Sequence, residues 1–93
     1  MIAKYYTELI PTRQKSYYGK AVMAFDPNGT TLYSYGTPVI RIDNDRTVHR
    51  LWGGYSATTM KHINDFLSAL HVEGGEKKWW DALSVEVGGA DHA

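Results

Sequence analysis

The fold is decided by the stretch from Thr47 to Leu70, which reads TVHRLWGGYSATTMKHINDFLSAL. Its opening residues alternate as a β-strand does, and a pair of glycines then breaks the strand. Ser56 or Thr58 can accept an amide hydrogen bond as the N-cap of a helix. Apolar side chains then recur at steps of three and four residues, as on the buried face of an amphipathic helix. We therefore predict a strand, a glycine corner and a helix over residues 57–71.

The residues before this stretch predict an edge strand and a hairpin. Residues 5–10 are rich in β-prone side chains and are followed by a proline, which is typical of a short strand at a sheet edge. Residues 17–25 and 30–35 form the arms of a hairpin around the turn DPNG. In this turn we expect Asp26 to accept amide hydrogen bonds and Gly29 to take a left-handed conformation.

A second hairpin joins residues 38–43 to the strand of the quoted stretch. Alternation places Val39 and Arg41 on the outer face of the sheet, opposite the two isoleucines of the same strand. It also places Arg50 beside Trp52. Either Arg50 is solvated next to an exposed tryptophan, or this face is a recognition surface.

The end of the chain predicts a short helix and a tail. Residues 76–83 carry Trp79 and Trp80, of which one should anchor the segment while the other stays partly exposed. Residues 1–87 are then one domain, and 88–93 are a disordered tail. The predicted fold is α+β: a four- to five-stranded antiparallel sheet from two hairpins, with the amphipathic helix on one face and the short C-terminal helix beside it.

The composition excludes several classes of function. Lys plus Arg equals Asp plus Glu at 10 each, so no overall field attracts a phosphate backbone or an anionic membrane. The chain has no cysteine, which excludes disulfides and thiol chemistry and favours a reducing compartment. No apolar run approaches the length of a membrane span, and the first residues lack the pattern of a signal peptide. We therefore expect a cytoplasmic protein that does not contact a membrane.

No set of residues predicts a catalytic centre or a metal site. The four histidines lack the spacing of zinc ligands. Ser56 follows a strand and precedes a helix, as a hydrolase nucleophile does, but GYSAT lacks the second glycine of that elbow. We therefore predict a non-enzyme with no catalytic residues, no metal and no cofactor. His62 lies at the edge of the apolar helical face, where it either bonds a backbone carbonyl, which we favour, or titrates in a surface cleft.

Aromatic and basic side chains are the candidates for a binding surface. Tyr, Trp and Arg dominate the energetics of protein interfaces, and the same residue types stack on single-stranded bases. Alternatively, many of the tyrosines complete the small core with their hydroxyls at its rim. The predicted partner-binding residues are Arg13, Lys15, Tyr18, Lys20, Tyr33, Tyr35, Arg41, Arg50, Trp52, Tyr55 and His62.

Four segments carry a resemblance to known proteins. They are RQKSYYGKA at 13–21, LYSYGTPV at 32–39, LWGGYSATT at 51–59 with HI at 62–63, and KKWW at 77–80. Across residues 5–83 the chain resembles an uncharacterised family of small proteins encoded by phages, prophages and other mobile elements of Gram-positive bacteria. The resemblance implies a setting and no catalytic residues.

Small phage proteins often act by binding a host machine. The resemblance therefore implies a non-enzymatic binder of a host protein or ribonucleoprotein complex, in the host cytoplasm, such as an anti-defence inhibitor of the anti-CRISPR type. The alternative is a nucleic-acid-binding accessory protein of phage replication or packaging. Assembly into a homodimer stays open.

Overall fold

The computed structural model describes residues 5–10, 17 and 19–86 of the chain. A five-stranded antiparallel sheet, in the order β1-β2-β3-β4-β5, packs one face against a long helix, with a short helix near the chain end. The elements are β1 Tyr5–Glu8, β2 Ala21–Asp26, β3 Gly29–Ser34, β4 Thr37–Asp43, β5 Val48–Arg50, α1 Ala57–Ala69 and α2 Lys77–Ala82. The predicted α+β class is confirmed. The predicted tail, 88–93, lies outside the described residues.

The turn between β2 and β3 forms as predicted, except at its glycine. The Asp26 carboxylate accepts hydrogen bonds from the amides of Asn28, at 2.8 Å, and Gly29, at 3.1 Å. Gly29 does not adopt a positive φ, so the left-handed conformation was a wrong prediction. A Cβ at Gly29 would lie 2.7 Å from the carbonyl oxygen of Ile42. Glycine is needed here because strand β4 approaches closely.

A β-bulge changes which side chains of β4 face the core. Leu32 pairs with Ile40, whereas the next residue, Tyr33, pairs with Pro38, so Val39 has no partner across the ladder. Val39 is only 1% exposed and joins the core beside Ile40. Its predicted place on the outer face is therefore wrong, because simple alternation fails where a strand carries an extra residue.

Helix α1 begins where its capping residue predicts. The side chain of Ser56 accepts a hydrogen bond from the amide of Thr59 at 3.0 Å, which confirms the predicted N-cap. The helix ends at Ala69, two residues earlier than predicted, and His71 then adopts a positive φ of 57°. The apolar stripe faces the sheet, and the fully buried core includes Leu32, Ile40, Ile63, Phe66, Leu67 and Trp80.

The two tryptophans of α2 divide as predicted. Trp80 is completely buried in the core, whereas Trp79 is half-buried at its edge. Among the described residues no helix packs on the opposite face of the sheet, which we call the open face. None of the described helices is long and apolar enough to cross a lipid bilayer.

Candidate binding surface

Arg50 is a buried structural residue that ties the glycine corner to α2. Its side chain is 6% exposed. Its Nε donates to the carbonyl of Trp52 at 2.9 Å, and its Nη1 donates to those of Trp80 at 2.8 Å and Leu83 at 3.3 Å. Its Nη2 donates to Gly54 at 3.3 Å, and its guanidinium lies 4.2 Å from the centre of a Trp80 ring. Arg50 is neither solvated nor available to a partner, so that prediction was wrong.

The corner that Arg50 holds fixes the position of Trp52. The carbonyl of Gly54 also accepts the indole N–H of Trp80 at 2.9 Å, so two buried side chains anchor it. A Cβ on Gly54 would lie 2.4 Å from Cζ2 of Trp52. The Trp52 ring therefore packs directly on the glycine, and no larger residue fits there without moving the ring.

A cleft of about 280 Å³ opens between this corner, the start of α1 and the turn between β3 and β4. Tyr35 and Tyr55 on its walls are 56% and 46% exposed, and Trp52 is half-buried. We call it the aromatic cleft, and its lining residues are Ser34, Tyr35, Thr37, Val39, Trp52, Tyr55, Ser56 and Thr59.

The three aromatic residues of the cleft carry hydrogen-bond donors with no acceptor in the described part of the chain. They are Nε1 of Trp52 and the hydroxyls of Tyr35 and Tyr55. Solvent satisfies such groups in the free protein, and a partner can replace the solvent. The cleft therefore offers apolar ring surface and directed donors together.

Tyr35 stands in a backbone conformation that disfavours tyrosine. Tyr35 and Gly36 are the central residues of the two-residue turn between β3 and β4, and both have positive φ, of 53° and 81°. Such turns favour Asn-Gly or Gly-Gly because a left-handed residue with a Cβ costs about 1–2 kcal/mol. About half of the Tyr35 side chain is exposed, so packing against the core does not by itself account for a tyrosine in this strained position.

His62 supports the cleft from beneath. It is 1% exposed, its Nδ1 lies 2.8 Å from the Ser34 hydroxyl, and its ring lies 4.4 Å from that of Tyr17 and 5.6 Å from that of Tyr35. Burial lowers the pKa of His62 below its usual 6.5, so the ring is neutral at pH 7. Its partner is a hydroxyl where we favoured a backbone carbonyl, and it is not in contact with solvent. Both expectations for His62, and its place among the partner-binding residues, were wrong.

The open face of the sheet carries a chain of alternating charges. Arg41 donates through Nη1 to Asp26 at 2.8 Å and through Nε to Asp43 at 2.9 Å. His49 lies between Asp43, 2.7 Å from its Nε2, and Glu86, 2.6 Å from its Nδ1. This network joins β2, β4, β5 and the end of the described chain.

The pKa shifts in this network follow from its pairing. The Arg41 guanidinium lowers the pKa of Asp26 to about 2. Hydrogen bonds to Asp43 and then Glu86 raise the pKa of His49 above its usual 6.5. An imidazole with a carboxylate at each nitrogen donates to both only when it is protonated. The cationic groups on this face are thus already neutralised by neighbours in the same chain.

The structure divides the sequence-predicted residues among several places. Tyr35, Trp52 and Tyr55 meet in the aromatic cleft, and the Nζ of Lys20 lies 5.9 Å from the Tyr35 ring centre. The remaining predicted residues lie elsewhere: Tyr33 and Arg41 are on the open face, Arg50 and His62 are buried, and Arg13, Lys15 and Tyr18 lie outside the described residues.

Sequence reasoning missed Lys77, a cation beside the cleft, and five of the lining residues, Ser34, Thr37, Val39, Ser56 and Thr59. The Nζ of Lys77 lies 5.1 Å from the centre of the Tyr55 ring and 2.6 Å from Asp81, four residues further along α2. The pairing of Lys77 with Asp81 can be read from helical spacing. Its contact with Tyr55 cannot, because it depends on how α2 docks against the glycine corner.

Nothing in the described ranges groups three or more metal-ligating side chains in an arrangement that could hold an ion.

The fold and the cleft define the class of the protein. It is a small α+β domain with an open-faced antiparallel sheet and an aromatic cleft beside the start of its long helix. The chain belongs to a family of unknown function, DUF8033, whose sequence profile matches residues 7–82. No curated protein and no solved structure matches the chain.

Proposed function

We propose that the chain is a non-enzymatic binding protein and that the aromatic cleft is its docking surface for a partner protein. The observation that carries this proposal is the grouping of Tyr35, Trp52 and Tyr55 around one cleft, with substantial ring surface open to solvent. Tyr and Trp are enriched at interfaces because they bury a large area at a small cost in side-chain entropy.

The supports beneath the cleft favour a preorganised surface. Trp52 packs on Gly54, whose carbonyl is held by Arg50 and Trp80, and Tyr35 packs near the buried ring of His62. Side chains that are already fixed lose less conformational entropy when a partner binds. Burying one such ring fully is worth about 1.5–3 kcal/mol, which is the size of an interface hot spot.

The resemblance to mobile-element proteins supports a class of partner. Under this proposal the partner is a host protein or ribonucleoprotein complex of the cytoplasm, and the chain acts as an inhibitor of host defence, for which CRISPR effectors are one target. Binding alone suffices for such a role, since blocking a surface of the complex requires no chemistry.

Nucleic-acid binding is less well supported by the same surface. Of the cations on which it would depend, Arg41 is bound to Asp26 and Asp43, and Arg50 is buried among carbonyls. Of the predicted cations that the structure describes, this leaves Lys20, while Arg13 and Lys15 lie outside the described residues; the formal net charge of the chain is +0. Affinity for a phosphate backbone rises with each phosphate that a protein neutralises, so the pairing of Arg41 and the burial of Arg50 remove two of the expected contacts.

The substitution Tyr35→Asn separates binding from stability. It relieves the left-handed strain, so we expect the domain to be as stable as the wild type or more stable by up to about 1 kcal/mol. It also removes one wall of the cleft. The matched control is Tyr6→Ala, because Tyr6 is 60% exposed on the open face, away from the cleft.

The wild-type chain and both variants are immobilised and used to capture proteins from host lysate, and the captured partner is then titrated against each chain by calorimetry. We expect Tyr35→Asn to weaken the partner's Kd by about 30-fold, which corresponds to a hot spot of about 2 kcal/mol, and Tyr6→Ala to leave it unchanged. Equal affinity for the wild type and Tyr35→Asn, or a loss confined to Tyr6→Ala, would overturn the proposal.

A further inference from the structure

The hydrogen-bond donors of the aromatic cleft suit a bound peptide whose backbone carbonyls make no internal hydrogen bonds. Nε1 of Trp52 and the hydroxyls of Tyr35 and Tyr55 belong to residues that line the same cleft, and they have no acceptor in the described residues. The hydroxyls of Ser34 and Thr59 in the lining are already engaged with each other, at 3.2 Å. A polyproline II segment has no internal hydrogen bonds, so its carbonyls accept while its prolines bring no N–H that needs an acceptor.

The size and shape of the cleft also fit such a segment. At about 280 Å³ the cleft lies just below the usual range for pockets that enclose a small ligand, about 300–1,000 Å³. It can seat a few side chains of a longer chain that passes across it. Proline-rich peptides are recognised in this way, by aromatic-lined grooves that accept a preformed extended backbone.

Two lysines lie beside the aromatic rings of the cleft, and they differ in how they are paired. The Nζ of Lys20 lies beside the Tyr35 ring at one side, and that of Lys77 lies beside the Tyr55 ring. Lys77 is paired with Asp81, whereas Lys20 has no carboxylate partner in the described part of the chain, and no lining residue is acidic. Electrostatic complementarity therefore favours a carboxylate on the occupant near Lys20.

We infer that the aromatic cleft binds a proline-rich segment of the partner protein in the polyproline II conformation, with an acidic residue beside Lys20. The inference rests on the proposed function, because it names the chemistry of the partner at the same surface. It adds a sequence preference that protein binding alone does not require.

The inference is tested with three blocked peptides, PPPPE, PPPPQ and GSGSE, titrated into the isotope-labelled chain. The readout is the indole N–H signal of Trp52 in the nuclear magnetic resonance spectrum, assigned by its loss in Trp52→Phe. We expect saturable shifts with PPPPE and a Kd about two- to five-fold weaker with PPPPQ, the range of one exposed ion pair. GSGSE should give no saturable shift, and in Lys20→Gln the first two peptides should bind equally.

The inference is overturned if PPPPE gives no saturable shift or if PPPPE and GSGSE bind equally. A single-stranded oligothymidine that shifts the Trp52 signal more tightly than PPPPE would overturn it in favour of nucleic acid. The proposed function is tested separately. If the captured partner depends on Tyr35 while the peptides do not bind, the function stands and the inference falls. If PPPPE binds while the partner's affinity is unchanged by Tyr35→Asn, the cleft prefers proline-rich peptides but is not the docking surface for that partner, so the proposed function falls and the inference falls with it.

Discussion

Replacing Arg50 with methionine should destabilise the domain by about 3–5 kcal/mol. Two of the four carbonyls that Arg50 bonds keep another donor, since Gly54 retains the indole of Trp80 and the Trp80 carbonyl retains the amide of Leu83 at 3.1 Å. The carbonyls of Trp52 and Leu83 lose the donor that Arg50 supplies. Each loss costs about 1 kcal/mol, the lower end of the range for an unsatisfied carbonyl, because both bonds are only part-buried and water can partly replace the donor.

The cation above the indole adds to this loss. The guanidinium of Arg50 lies 4.2 Å from a Trp80 ring centre, and a desolvated cation–π contact contributes about 2 kcal/mol. Methionine replaces much of the apolar stem of the side chain, so the cavity term stays small. Arg50→Lys keeps the charge but not the planar fork of donors, and should fall between the wild type and Arg50→Met.

The free energy of unfolding is measured by urea denaturation at pH 7, followed by tryptophan fluorescence. Lys61→Met is the matched control, because Lys61 is on the exposed face of α1, and its change should stay within about 0.5 kcal/mol. An Arg50→Met variant within about 0.5 kcal/mol of the wild type, with an unchanged denaturant slope, would refute the role assigned to Arg50.

Further substitutions test other parts of the structure. Ser56→Ala should cost about 1 kcal/mol in urea denaturation, because the amide of Thr59 loses its cap. Gly54→Ala should cost about 1–3 kcal/mol and weaken partner binding, since its Cβ would lie 2.4 Å from the indole ring. The raised pKa of His49 stabilises the fold below pH 6.5, and this contribution is lost as the pH rises through the raised pKa. The lowered pKa of His62 acts in the opposite direction: its contribution is present above pH 6.5 and is lost as the pH falls through the lowered pKa. Urea denaturation between about pH 5 and pH 8 measures this dependence. In His49→Gln the free energy of unfolding should fall less as the pH rises, and in His62→Gln it should fall less as the pH drops.

The parts of the fold that follow from local chemistry were predictable from the sequence. The Asp26 turn and the Ser56 cap each involve residues two or three apart, so their residue types are enough to predict them. The apolar stripe of α1 reports a helix for the same reason, and Ile63 and Phe66 are buried as it requires.

The errors about burial and exposure occur where distant parts of the chain meet. Val39 was assigned to the wrong face because the bulge depends on how β3 and β4 pair. Arg50 was taken for a surface residue because two of its carbonyl partners, Trp80 in α2 and Leu83 just after it, lie 30 and 33 residues further along the chain. His62 bonds the hydroxyl of Ser34, in a strand that its helical position does not reveal.

The aromatic cleft was partly predictable. Trp52 and Tyr55 flank the glycine corner, so their closeness follows from the sequence, whereas Tyr35 joins them only through the packing of β3 and β4 beside α1. A tyrosine before glycine in a two-residue turn is a local signal that the sequence did contain. That this tyrosine is conformationally strained became clear only from the positive φ in the structure.

Hydroxyl-radical footprinting of the chain, alone and bound to its captured partner, tests the docking surface most directly. The method reports the solvent accessibility of each aromatic side chain. We predict that Tyr35, Trp52 and Tyr55 lose oxidation on binding, while Tyr5 and Tyr6, which are 64% and 60% exposed in the free chain, keep theirs. Protection of Tyr5 and Tyr6 with no change in the cleft would contradict the account.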